Sequence, residues 1–182
     1  MFLVLSGCLY KQWAIFVTCE MEYNVEIKAK VHNREQLIVL AKELTGMEPI
    51  ILLQNDVFYN SPNGRMKMRC VIEDGVRKSE LIWYDRPNLA GPKPSKYNKL
   101  TVPEDIVANL KKSLECSMGV KGEVKKVRSL FIYENTRIHV DDVQGLGHFM
   151  ELEKTAMYIR EKLNVREEDL LTDAYMDMLK AQ

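Results

Sequence analysis

A chain of 182 residues, 46% hydrophobic and 29% charged, is long enough to bury one core and to enclose a ligand, and it shows no period that would indicate tandem repeats. Its 26 basic and 26 acidic residues cancel, which argues against a global field drawing it to nucleic acid or to an anionic membrane. Cys8, Cys19, Cys70 and Cys116 lack the close pairs of a zinc site or a C-x-x-C motif, so they read as reduced thiols of a cytoplasmic protein.

Residues 1–20 are apolar but interrupted by Lys11 and Gln12, with no basic residue ahead of the first run. That stretch is too short to span a bilayer, and LSGC at 5–8 lacks the preceding apolar run of a lipoprotein signal. The folded domain, 21–182, is expected to open at Met21, with 1–20 as a poorly ordered extension or an upstream start.

NVEIKAKV, 24–31, alternates Val25, Ile27, Ala29 and Val31 with Glu26, Lys28 and Lys30, which predicts a strand with one charged face. Asn33 then caps a helix reaching Leu44, ended by Gly46. EPIILLQNDVFYN reads as a strand, SPNG at 61–64 as a turn, and 65–72 as the returning arm of a hairpin. SELIWYDRP is a strand stopped by Pro87, and RPNLAGPKPSKY is expected to be a loop reaching across a rim. Pro103 opens a helix to 117, followed by Gly119. Strands are predicted at 121–133, 136–143 and 147–153, and helices at 155–163 and 167–180. The sum is an α+β chain of about eight strands and four helices.

The charged face recurs. Arg65, Lys67 and Arg69 alternate with Met66 and Met68; Lys126 and Arg128 flank Val127; Arg137, His139 and Asp141 alternate with Ile138 and Val140; Glu151 and Glu153 flank Leu152. Facing water, these would coat an ordinary sheet. If the sheet closes into a barrel they converge on its axis, where eight bases would exceed four acids by four. Such an interior is tolerable only with water and a polyanion inside. A triphosphate supplies that anion, with Arg and Lys on its oxygens and carboxylates holding Mg²⁺ or Mn²⁺.

NVEIKAKV, GRMKMR, VKKVR, RIHVD and GLGHFMELE, in this order, resemble the CYTH family of triphosphate tunnel metalloenzymes, from about Met21 to Met178. The resemblance implies an eight-stranded antiparallel barrel with helices packed outside, binding a small-molecule triphosphate with divalent metal. Its members include triphosphatases and class IV adenylyl cyclases. It places Glu26 and Lys28 in the hallmark E-x-E-x-K, Glu26, Lys28, Glu151 and Glu153 in catalysis, and Glu26, Asp141, Glu151 and Glu153 at metal. Lys28, Lys30, Arg65, Lys67, Arg69, Arg86, Lys126, Arg128 and Arg137 would bind substrate. Three departures stand out: Asn24 replaces the first hallmark Glu, Asp85 replaces a basic residue that Arg86 would have to supply from the opposite face, and the short segment after Glu153 puts closure of the last strand in question. The expected activity is triphosphate hydrolysis by a monomer or homodimer, with cyclase activity or binding without catalysis as alternatives. His139 is expected to be a hydrogen-bonding bystander, and Tyr175, Met176 and Leu179 to be helix packing.

Overall fold

The alternating stretches become strands of one closed ring. The computed structural model describes residues 21–153 and 156–181, the side chains of 156–158 excepted. In chain order it contains β1 (Glu22–Lys30), α1 (Arg34–Thr45), β2 (Ile50–Tyr59), β3 (Arg65–Glu73), β4 (Val76–Asp85), β5 (Lys93–Val102), α2 (Glu104–Met118), β6 (Val120–Tyr133), β7 (Thr136–Val143), β8 (Gly147–Glu153), α3 (Ala156–Lys162), a 3-10 turn (Glu167–Asp169) and α4 (Tyr175–Lys180). The strands form an antiparallel barrel in the order β1-β5-β4-β3-β2-β6-β7-β8. β1 closes it, since residues 22–26 pair with β5 and residues 26–30 with β8. The short segment after Glu153 leaves closure intact: Glu153 still pairs with both Glu26 and Arg137.

Helices cover the apolar outer faces. Ile27, Ala29, Phe131, Ile138, Val140, Met150 and Leu152 pack against Leu37 and Ala41 of α1 and Ile159 of α3. Each such buried aliphatic or aromatic side chain contributes about 1.5–3 kcal/mol, which favours inward charge over the reverse register. The Asn33 side chain accepts from the Gln36 N–H to start α1, and left-handed Gly46 ends it by donating to the Lys42 carbonyl. α2 covers Tyr59, Met68 and Val102 with Val107, Leu110, Leu114 and Met118. Among the described residues no helix is long and apolar enough to cross a membrane. Cys70 and Cys116 are free thiols; Cys8 and Cys19, with the expected 1–20 extension, lie outside the described residues.

Two expectations change. The stretch read as a rim loop runs into β5, which pairs with β4 from Lys96 to Val102. Pro94 is accommodated at the start of β5, beyond that β4 ladder. The predicted helix over 167–180 is broken: Leu170 bridges Ala29, and the Leu171 N–H donates to the Lys28 carbonyl. The Lys93 ammonium donates to the carbonyls of Leu171 and Thr172. These bonds draw 170–174 out extended, so only the one-and-a-half turns of α4 remain.

The β2–β3 turn tolerates no side chain at Gly64, whose φ is +65° and whose Cβ would stand 2.8 Å from the Tyr84 carbonyl oxygen and 3.0 Å from the Trp83 ring. Gly64→Ala should therefore destabilise the domain by about 1–3 kcal/mol, read as a lower urea midpoint. An unchanged midpoint would mean the turn relaxes freely.

Candidate functional site

Alternation carries every second side chain inward. All eight strands line the enclosed space of about 390 Å³, which presents nine Lys and Arg side chains against six carboxylates. The positive excess is thus three rather than four: Asp56, Glu73 and Glu80 add acids while Asp141 falls outside the lining, and Lys78, Arg86 and Lys99 add bases while Lys30 and Arg65 fall outside it.

At its centre β6 and β7 place Arg128 opposite Asp141, and β1 and β8 place Lys28 opposite Glu151. Arg128 donates from Nε and Nη2 to the two Asp141 oxygens, both at 2.7 Å, and from Nη2 to Glu151 at 2.5 Å. Lys126 reaches Asp141 at 2.8 Å and Lys28 reaches Glu151 at 2.9 Å. From α4, Tyr175 donates its hydroxyl to Asp141 at 3.0 Å, while the Lys28 ammonium lies 3.3 Å above its ring. Tyr175 is therefore part of the cavity wall as well as of the packing with Phe149. Burial alone would protonate both carboxyls. Arg128 and Lys126 nonetheless hold Asp141, and Lys28, Lys126 and Arg128 hold Glu151, well below the usual carboxylate range.

Near the end of β8, Glu26 pairs with Arg86 at 2.6 Å and Glu153 with Arg137 at 3.9 Å. Arg86 turns inward because it lies one residue past β4, beyond the strict alternation that keeps Asp85 exposed. His139 is buried with Nδ1 at 3.7 and 3.8 Å from Glu151 and Glu153, beyond hydrogen-bond length. Burial and the Arg128 charge push its pKa down, which favours the neutral ring. On the opposite wall, Asp56 accepts from Lys67 at 2.8 Å, from Arg69 at 2.8 and 3.0 Å, and from the Gln54 amide at 3.2 and 3.3 Å.

Three expected positions are placed differently. Lys30 is exposed at the end of β1, where the strand has passed the cavity. Arg65 lines a neighbouring pocket of about 280 Å³ and bonds Asn88 and Asp177. Asp141 has no exposed surface and sits behind Arg128, fixing it and Lys126. Asp56 and buried Lys93 were not singled out from sequence, and Tyr175 was expected to be helix packing alone, whereas it also lines the cavity. Asp56 was legible in principle, since Leu52, Gln54, Asp56 and Phe58 share one face of β2.

Among the described residues no three His, Cys, Asp or Glu side chains stand close enough to share an ion. Within the predicted donor set, Glu26 and Glu153 are the residues that would hold a hard divalent cation. Glu26 and Glu153 face each other across β1 and β8, and the Asn24 Oδ1, on the same face, is buried without a hydrogen-bond partner. Asp141 and Glu151 are each engaged by two cations.

These depressed carboxyls set the response to acid. A carboxyl whose folded pKa lies below its unfolded value adds stability that is present above the unfolded value, about 4, and lost as pH falls below it. Asp56, Asp141 and Glu151 all act in this sense, and His139 adds a shallower loss beginning near 6.5. The urea midpoint should fall most steeply below about pH 4. A midpoint unchanged between pH 5 and 2 would contradict the ionic interior.

The geometry agrees with known proteins. A protein of Methanocaldococcus jannaschii, named provisionally as an adenylate cyclase, is 28% identical over 167 residues, covering 86% of this chain and 87% of its own. A Pyrococcus horikoshii structure superposes with a TM-score of 0.71 at 16% identity, covering 87% of this chain and 98% of its own. A Hippeastrum protein, described as an adenylyl cyclase candidate with a dominant triphosphatase activity, superposes with a TM-score of 0.59 at 17% identity, covering 87% and 95%. The CYTH domain model matches residues 22–180, nearly the whole described barrel with its helices, and the chain belongs to the CYTH domain family.

Proposed function

We propose that the barrel binds a small-molecule triphosphate along its axis and hydrolyses it with the help of a divalent metal ion. The observation that carries this reading is the convergence of Lys28, Lys67, Arg69, Lys126 and Arg128 on one enclosed cavity with an excess of positive charge. Buried cations of this number are stable only with counter-charges. In the structure the internal carboxylates fill that role, and phosphate oxygens would take over part of it. Arg128 keeps Asp141 as its orienting partner, so its charge stays fixed where negative charge develops on the departing diphosphate. Lys28 and Arg69 would hold the chain in line for water to attack the terminal phosphorus and break its bridging P–O bond.

Glu26 and Glu153 would hold Mg²⁺ or Mn²⁺, with Glu151 available once phosphate engages Lys28. The bound ion would neutralise phosphate charge and polarise water. Asn24 offers a neutral oxygen where a carboxylate would bind the ion more strongly.

A cyclase reading draws support from the name of the Methanocaldococcus relative; the ribose 3′-hydroxyl would then attack the α-phosphorus and pyrophosphate would leave. Incubation with tripolyphosphate, ATP or thiamine triphosphate and Mg²⁺ or Mn²⁺, followed for phosphate and cyclic AMP, separates the two. Phosphate release is expected. Cyclic AMP with pyrophosphate as the sole products would favour the cyclase, and binding without turnover, restored by Asn24→Glu, would make the domain a binding module.

A further inference from the structure

Asp56 is an acid facing into a cavity otherwise suited to anions, and no role in phosphate chemistry requires it. The residue is 3% exposed; its carboxylate accepts from Lys67 and from two nitrogens of Arg69, and is braced by the Gln54 amide two residues back on β2. Arg69 bonds it through Nε and Nη2, leaving Nη1 for a ligand, and Lys67 uses one of its three donors. We propose that Asp56 is a positioning residue that locks Lys67 and Arg69 into a two-pronged phosphate clamp and keeps the Lys67 amine charged. The inference rests on the tunnel binding a condensed phosphate.

The charge argument follows from what surrounds Lys67. Arg69 on β3 and Lys126 on β6 repel its proton, the Phe58 ring on β2 and the Tyr84 ring on β4 lie 5.4 Å from it, and among the leading influences on it Asp56 is the acid, holding it by charge and by hydrogen bond. Burial and Arg69 bring the amine down to about 8, with Asp56 opposing the fall. Without the Asp56 charge the other leading influences, burial, Arg69 and Lys126, act downward, and the amine would discharge within the physiological range. An uncharged amine no longer complements a phosphate oxygen.

The test compares wild type with Asp56→Asn, which keeps shape and removes charge, by calorimetric titration with tripolyphosphate from pH 6 to 9. Comparing affinities at each pH cancels the ligand's own ionisation. The variant should bind within about threefold of wild type at pH 6 and at least tenfold more weakly at pH 8.5. Adding Lys67→Arg, whose charge persists at every pH, should abolish the pH dependence of that ratio. A constant ratio would reduce Asp56 to a structural part, and tighter binding at all pH values would make it a competitor for the phosphate position; either overturns the proposal. A readout independent of ligand is the Lys67 ammonium titration followed by NMR, whose midpoint should fall in Asp56→Asn. An unmoved midpoint also overturns it. If wild type binds no tripolyphosphate at any pH, the functional reading fails, while the titration still decides the charge argument.

Discussion

Arg128→Met should lower the free energy of unfolding by about 3–5 kcal/mol, the usual cost of deleting one member of a buried ionic cluster. The loss comes from what remains. Asp141 has no exposed surface and receives three of its hydrogen bonds from Arg128 and Lys126, and Glu151 has the shortest of its ionic contacts to Arg128. Removing the guanidinium leaves two carboxylates sharing Lys126 and Lys28. The methionine fills the volume, so the effect reports charge rather than a cavity. Urea denaturation at pH 7 measures it, and near-native stability would show that water or rearrangement satisfies Asp141 without the arginine. Raising the carboxyl pKa values in this way should also move acid unfolding to higher pH.

Lys28→Met should weaken tripolyphosphate binding by roughly tenfold to a hundredfold, the equivalent of one charge-assisted hydrogen bond of about 1.5–3 kcal/mol. Lys28 is 3% exposed and its ammonium is held between Glu151 and the face of Tyr175, so its position is set before any ligand arrives. Lys30, two residues on with the same strand parity, is exposed and away from the cavity. Lys30→Met should bind as wild type does. Equal losses in both variants would point to a diffuse field around the barrel in place of a defined contact.

That contrast shows where sequence reasoning reaches its limit. Period-two alternation on β1, β3, β6, β7 and β8 was readable because apolar outer residues mark the opposite face. Lys30 belongs to that pattern, but only coordinates show where a tilted strand leaves the cavity. β5 was obscured because both its faces are polar: Lys93, Ser95 and Lys99 alternate with Lys96 and Asn98, and a proline sits among them. Asp56 was harder to single out because Gln54, Asn55 and Asp56 are consecutive, so polar residues fall on both faces of β2 there and no alternation marks the inner one. The broken helix after Glu167 was not legible locally, since the bonds that unwind it come from Lys93, more than seventy residues earlier. Arg86 was recognisable as a substitute for Asp85, but its inward direction depends on the end of β4 and could not be deduced from alternation.

Closure between the first strand and the eighth has a consequence during synthesis. β1 leaves the ribosome early, yet its partner around Glu153 follows only after roughly 6–25 s at a typical 5–20 residues per second. Throughout that interval residues 26–30 of β1 lack the strand they pair with, although β5 can already meet residues 22–26, and the free edge would be prone to intermolecular pairing. Glu26, Lys28 and Lys30 then act as gatekeepers on the nascent chain, keeping a future barrel stave soluble until its last neighbour emerges.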